Sequence, residues 1–283
     1  MPELISVLTE TAKAETEREI ARLSLVIEIG GTPLRVNTTD ADFLEMLQER
    51  YSGFIRESSQ AELEFEVETA NADFVSMDSD VHVTHQRGRW SLRRGDFQAE
   101  WEPASRTGSI RLSPKSHSFD SVLRIVHTLV LARQGGFLLH AASAIRNGKA
   151  FLLAGVSGAG KTTISSMAPP DADLLTDEIS YVCKQNPGYI AFGTPFTGEL
   201  NQAGENVSAP IAALYLLAKG NENRIDPISS GDAARALLAN ILFFAEDEEL
   251  VQSIFHSAFE FVSRVPVSRL TFVPDARVWE LIG

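Results

Sequence analysis

The chain has 283 residues, enough for two domains of ordinary size or one large α/β unit. With 44% hydrophobic and 22% charged residues, it has the composition of a packed globular protein and not of a disordered or low-complexity one. Its 38 acidic residues against 25 basic ones leave a formal net charge of −13, a field that repels polyanions, so nucleic acid is not an expected partner.

Residues 9–24 are charge-rich with helical spacing, and Leu25–Ile29 then reads as a strand ending at Gly30-Gly31. A helix is expected over Asp40–Tyr51. Glu62–Glu68 alternates strictly between acidic and apolar residues, the pattern of a strand with one solvated face. Short strands near 81–86, 89–93, 97–102 and 109–112, separated by turns at Arg87-Gly88, Gly95-Asp96 and Thr107-Gly108, predict an antiparallel meander. Ser118 is the expected N-cap of a helix presenting Val122, Leu123, Val126, Leu129 and Val130, with Gly135-Gly136 as its stop. The chain is therefore divided into an N-terminal α+β domain of unknown role, 1–117, and a second domain, 118–283.

In the second part, Leu138–Arg146 and Lys149–Ala154 are apolar strands joined by Asn147-Gly148, a strong signal for a two-residue hairpin. That register pairs Arg146 with Lys149 and places His140 opposite Gly155, at the mouth of the loop that follows. A short helix after that loop ends at Pro169-Pro170, and a strand flanked by Leu174, Leu175, Ile179, Tyr181 and Val182 carries the acidic pair Asp177-Glu178 at or near one end. Farther on come a strand at Ile211–Leu217, helices at about 231–245 and 247–263, and a strand at Leu270–Val273. This alternation argues for an α/β sandwich. Phe243, Phe244, Phe255, Phe259 and Phe261 are expected in the core. Arg224, Arg235 and Arg264 carry charge that could reach a phosphate, with no local support for it.

The single cysteine, Cys183, excludes an internal disulfide, and no Cys/His set has zinc-ligand spacing. The N-terminus lacks the basic and apolar regions of a signal peptide, and no run of about 18 apolar residues is present. A cytoplasmic protein without membrane contact is expected, and a homo-oligomer is left open.

The strongest signature is Gly155-Val156-Ser157-Gly158-Ala159-Gly160-Lys161-Thr162, which matches Gly, four residues, Gly-Lys-Ser/Thr, between an apolar strand and a helix. Glycines let successive N–H groups turn toward a phosphate, lysine reaches the β/γ oxygens, and the hydroxyl after it can ligate Mg²⁺. Asp177, 16 positions after Lys161, is placed to hold Mg²⁺ or to accept a proton from a hydroxyl nucleophile. Glu178 and, from a turn-rich loop, Glu199 are further candidates for the metal shell.

The segment from Leu139-His140-Ala141 through Gly155–Thr163 to Asp177-Glu178 resembles the catalytic domain of HPr kinase/phosphorylase and its relatives in the phosphoenolpyruvate carboxykinase-like group. The likeness spans roughly 135–275 and is strongest over 138–182. It implies an α/β fold with a C-terminal phosphate-loop core, and ATP and Mg²⁺ as cofactors. It further implies that Gly155, Ser157, Gly158, Ala159, Gly160, Lys161, Thr162 and Thr163 bind nucleotide, that His140 lies beside the phosphates, and that Asp177 acts as base or metal-site acid. Glu178 stands where the family more often has a second Asp, and the family's glycine-rich signature loop has no counterpart here. The expected activity is transfer of the γ-phosphoryl group to a hydroxyl, taken as serine, of a peptide, protein or small molecule. The alternative is a nucleotide-binding regulatory or scaffold protein with weak ATPase activity.

Overall fold

The computed structural model describes residues 22–70, 80–200 and 203–283. The helix expected from residue 9 lies almost wholly outside the described residues. What is described is mixed α/β: two sheets, few helices, and one long helix between the sheets.

The first sheet has seven strands in the order β1-β2-β3-β7-β6-β5-β4. Strands β1 (Leu23–Ile29) and β2 (Thr32–Thr38) form a hairpin through Gly30-Gly31, both at positive φ as a two-residue hairpin turn requires. Helix α1 (Ala41–Arg50) starts where the Asp40 carboxylate accepts the Phe43 N–H at 3.0 Å. Strand β3 (Leu63–Thr69) is the alternating acidic segment, with Leu63, Phe65 and Val67 buried. The expected meander is present as β4 (His82–Gln86), β5 (Arg89–Arg94), β6 (Phe97–Glu102) and β7 (Thr107–Leu112), antiparallel throughout. One turn differs from expectation. Thr107-Gly108 begins β7, and the reversal falls just before it, where Arg106 adopts φ +60°. Gly108 is needed for another reason: a Cβ there would meet the Phe65 ring at 2.4 Å.

Helix α2 (Ser116–Gln134) starts two residues before the expected cap, with Lys115 at the N-cap position, so Ser118 is buried within the first turn. It ends where Gly135 takes the left-handed conformation, φ +76°. It is buried against both sheets, and one apolar core runs from Leu25 and Phe65 through Phe119 and Leu129 to Tyr181 and Phe261. The contact between the two sheets is close. A Cβ on Gly30 would lie 2.1 Å from the Tyr181 ring.

His127, buried in α2, stands edge-on to Tyr181. Burial pushes its pKa down from 6.5 to about 4, so the fold keeps the ring neutral where an unfolded chain would protonate it. The unfolded state then binds the extra proton between these pH values. This contribution to stability is full above pH 6.5 and is lost as pH falls toward 4, by about 3 kcal/mol. Urea unfolding at pH 7 and pH 4.5 measures it: the drop should shrink by most of that amount in His127→Leu, and an equal drop in both proteins contradicts it.

The second sheet has β8 (Phe137–Arg146) at its centre. Its hairpin partner β9 (Lys149–Ala154) pairs in the expected register, Arg146 with Lys149 through Ala141 with Ala154. Beyond β9 lie β13 (Ser208–Lys219) and β16 (Val267–Phe272), parallel to it and to each other. On the opposite side of β8 the acidic strand is broken in two. Strand β10 (Ala172–Thr176) pairs Thr176 with Ser143, and β11 (Ile179–Gln185) pairs Ile179 with His140, leaving Asp177-Glu178 in the break. Strands β12 (Gly188–Phe192), β14 (Arg224–Pro227) and β15 (Ile241–Leu242) complete the sheet.

The first of the two late helices, expected to reach 245, stops early. It is α4 (Ser230–Leu238) once the six-residue helix α3 (Lys161–Ser166) is counted, and the chain then enters β15. Helix α5 (Glu248–Arg264) follows, with the Asp247 carboxylate accepting the Leu250 N–H. Phe261 is core as expected, but Phe255 and Phe259 are 49% and 55% exposed. They lie four residues apart on the outer side of an amphipathic helix whose inner side is already filled by Leu250, Ile254, Ala258 and Phe261. Among the described residues no helix is long and apolar enough to cross a membrane.

Candidate functional site

The glycine-rich loop leaves the C-terminal end of β9, which lies between the antiparallel β8 and the parallel β13. In open α/β sheets this end is where ligands bind. Gly158 and Gly160 have φ of +76° and +106°. Gly160 has a second constraint, since a Cβ there would lie 2.6 Å from the Phe272 ring at the end of β16. Only glycine satisfies both. Helix α3 starts from this residue and is anchored from below by the Trp279 indole N–H, which donates to the Ile164 carbonyl at 3.0 Å.

A cleft of about 630 Å³ opens beside the loop. His140, Ser157, Gly158, Gly160, Lys161, Thr162, Thr163, Asp177, Glu178 and Glu199 all line it. Of the residues singled out in the sequence, Gly155 and Ala159 do not. Gly155 accepts a hydrogen bond from the Lys161 ammonium at 2.9 Å, and Ala159 is buried behind the loop. The hairpin accounts for His140 only in part: the ladder ends with Ala141 opposite Ala154, and His140, expected opposite Gly155, donates its backbone N–H to the Asn240 carbonyl at 2.8 Å while still lining the cleft. Its other neighbour across the sheet, Ile179, directly follows the acidic pair.

The break between β10 and β11 is held by its own side chains. Asp177 is 3% exposed, and its two carboxylate oxygens accept the backbone N–H groups of Gly198 and Leu200, both at 2.9 Å. The loop after β12 is thus tied to the acidic pair, and Gly198 is required because a Cβ there would lie 2.9 Å from the Asp177 carboxylate. Between these two anchored residues Glu199 turns toward the glycine-rich loop, where its carboxylate accepts the Thr162 hydroxyl at 3.0 Å. The Thr176 hydroxyl accepts the N–H groups of Glu178 and Ile179 at 3.2 Å and fixes the turn from within.

The electrostatics are mixed. Burial lowers the Lys161 pKa below its ordinary 10.5, with the Glu178 and Glu199 carboxylates opposing the shift. Burial also lowers that of His140 below 6.5, helped by the positive charges of Lys161 and Arg124. His140 is therefore neutral at pH 7. Among the described residues no three His, Cys, Asp or Glu side chains gather as a metal cage.

Four residues of the site were not singled out in the sequence. Lys219 ends β13 beside the loop strand, and Thr197 and the anchored Gly198 line the cleft before Glu199. Arg124, on α2, reaches Glu178 with a nitrogen–oxygen distance of 3.0 Å. Its signal was a cation between the apolar Leu123 and Ile125 in the middle of a largely buried helix. The three arginines considered for phosphate contact are engaged elsewhere: Arg224 with Glu222 and Asp226, Arg235 with Asp232, and Arg264 with Glu260. A second concavity, of about 730 Å³, lies on the solvent face of the first sheet, where Arg22, Glu66, Arg93 and Glu100 are among its lining. It has no glycine-rich loop.

Comparison with curated proteins gives no match to this chain. Residues 115–283, more than half of the chain and the part that contains the whole cleft, match the family model described as SynChlorMet cassette protein ScmC. The chain belongs to the ScmC family.

Proposed function

We propose that the protein is a Mg²⁺/ATP-dependent phosphotransferase with an HPr-kinase-like phosphate-loop core, moving the γ-phosphoryl group of ATP to a hydroxyl, a serine in a peptide or protein or the alcohol of a small molecule. The observation that carries this reading is the convergence on one cleft of a strand–loop–helix with Lys161 and Thr162, a carboxylate pair in the break between β10 and β11, and His140. Such a loop offers N–H groups to the β-phosphate, and the Lys161 ammonium neutralises charge on the β/γ oxygens. Asp177 has two of its roughly four acceptor positions filled by Gly198 and Leu200. The remainder can take the proton of the acceptor hydroxyl as its oxygen bonds to the γ-phosphorus and ADP leaves. The neutral His140 ring can donate or accept one hydrogen bond at the same end of the cleft.

The donors suit Mg²⁺. The Thr162 hydroxyl and the carboxylates of Glu199 and Asp177 are hard oxygens, the donors of an ion that takes one or two protein ligands and completes its shell with phosphate and water, while Glu178, the fourth candidate, is engaged by Arg124. When bound, the ion supplies charge neutralisation to the phosphates.

A second reading, a nucleotide-gated regulatory or scaffold protein with weak ATPase activity, is favoured by one feature: Asp177 already anchors a loop, and Glu199 already engages Thr162. Incubation with γ-labelled ATP and serine peptides, proteins or small alcohols separates the two. Label on an acceptor supports the transferase, and label released only as inorganic phosphate supports the regulator. ATP left intact and unbound contradicts both.

A further inference from the structure

Helix α2 makes a polar contact with the N-terminal half at Asp120 and with the acidic pair at Arg124, one turn apart. Asp120 accepts the Arg50 guanidinium at 2.8 Å and the Tyr51 hydroxyl, both from α1 and its C-terminal end. Arg124, one turn further along the same face, reaches the acidic pair. One of its terminal nitrogens donates to the Glu178 carboxylate at 3.0 Å, and its guanidinium lies 5.0 Å from the centre of the Phe196 ring. Its side chain is only 24% exposed, so the pair is partly shielded from water and its geometry is held by packing as well as by charge.

Glu178 has two cations within its field, Arg124 and Lys161. Arg124 is the one that holds it. Lys161 belongs to the glycine-rich loop and, on the nucleotide reading above, must be free for phosphate. A carboxylate that swung onto Lys161 would compete with the phosphates for the same ammonium, and it would bring another negative charge toward the place they occupy.

We propose that Arg124 is a positioning residue of this site: it holds Glu178 away from Lys161, and, seated on a helix that Arg50 and Tyr51 fasten through Asp120, it fixes the cleft from the N-terminal half. The inference rests on the nucleotide reading. It assigns a role to a residue that lies among core positions of its helix, and it gives the N-terminal half a physical line to the site.

The test is titration of the full-length protein with ADP at fixed Mg²⁺, in wild type, Arg124→Met, Glu178→Gln and the double variant. Arg124→Met should weaken MgADP binding about tenfold in the wild-type background and less than about twofold in the Glu178→Gln background, because the competitor has then lost its charge. Thermal melts accompany each titration, since a purely structural role for Arg124 would lower the melting temperature and would not be relieved by Glu178→Gln. Where Arg124→Met fails to fold, Arg124→Gln makes the same comparison. Equal losses in the two backgrounds, or no loss in either, overturn the inference alone. Absence of MgADP binding by the wild type overturns the nucleotide reading and, with it, this inference.

Discussion

Lys161→Ala is expected to reduce phosphoryl transfer by at least about 10²–10³-fold and to weaken MgATP binding, the scale for removing one charged donor from a preorganised site. Lys161 is the only cation carried by the glycine-rich loop itself, and its ammonium lies 2.9 Å from the Gly155 carbonyl, held close to the loop backbone. Burial already lowers its pKa, so its charge is carried in a setting where water screens it poorly. Alanine removes that charge and leaves the loop's N–H groups alone against the phosphates. The fold should be little affected, because the side chain contributes one hydrogen bond and no core volume. Initial rates of label transfer, with a melting curve for each protein, measure the effect. Transfer at the wild-type rate by a folded Lys161→Ala protein would reject the assignment of the loop.

Asp177→Asn should be nearly as damaging, for two reasons that can be separated. The first is chemical: an amide cannot take the acceptor's proton, and loss of a general base costs about 10²–10⁴-fold in rate. The second is structural. Asp177 accepts two backbone N–H groups, one on each oxygen. Asparagine has one acceptor oxygen, so its NH₂ must face the N–H of Gly198 or of Leu200 at a buried position. A donor left without its acceptor costs about 1–3 kcal/mol, and it frees the segment that carries Glu199. Both the rate and the urea midpoint should therefore fall, whereas nucleotide affinity, which depends on the loop and Lys161, should change less. Equal losses in affinity and in rate would make Asp177 a binding or structural residue only.

Much of this site was legible before any coordinates because its signals are local. Asn147-Gly148 fixes a two-residue turn, the turn fixes the register, and the register brings His140 toward the loop. The spacing from Gly155 to Thr162 likewise encodes a strand–loop–helix. What was not legible depends on contacts distant in sequence. Nothing near β3 announces that it pairs in parallel with both β2 and β7, since alternation defines a face and not a partner. Glu199 stood in a loop whose length and turn residues gave no direction, and its place is set by Asp177 from more than 20 residues away. Arg124 was hidden by the helix that carries it. The apolar period of α2 accounts for its neighbours, and only the break in the acidic strand explains a cation there. Phe255 and Phe259 were misjudged because residue type was weighed without helical phase.

The measurement that bears most directly on the central claim is a crystal structure of the protein grown with ADP and Mg²⁺. The β-phosphate should lie within hydrogen-bond distance of N–H groups between Gly158 and Thr162, with Lys161 turned from the Gly155 carbonyl toward the phosphates and Glu199 no longer on the Thr162 hydroxyl. A cleft unchanged at saturating nucleotide, or ADP held on the face of the first sheet and not here, would contradict the account.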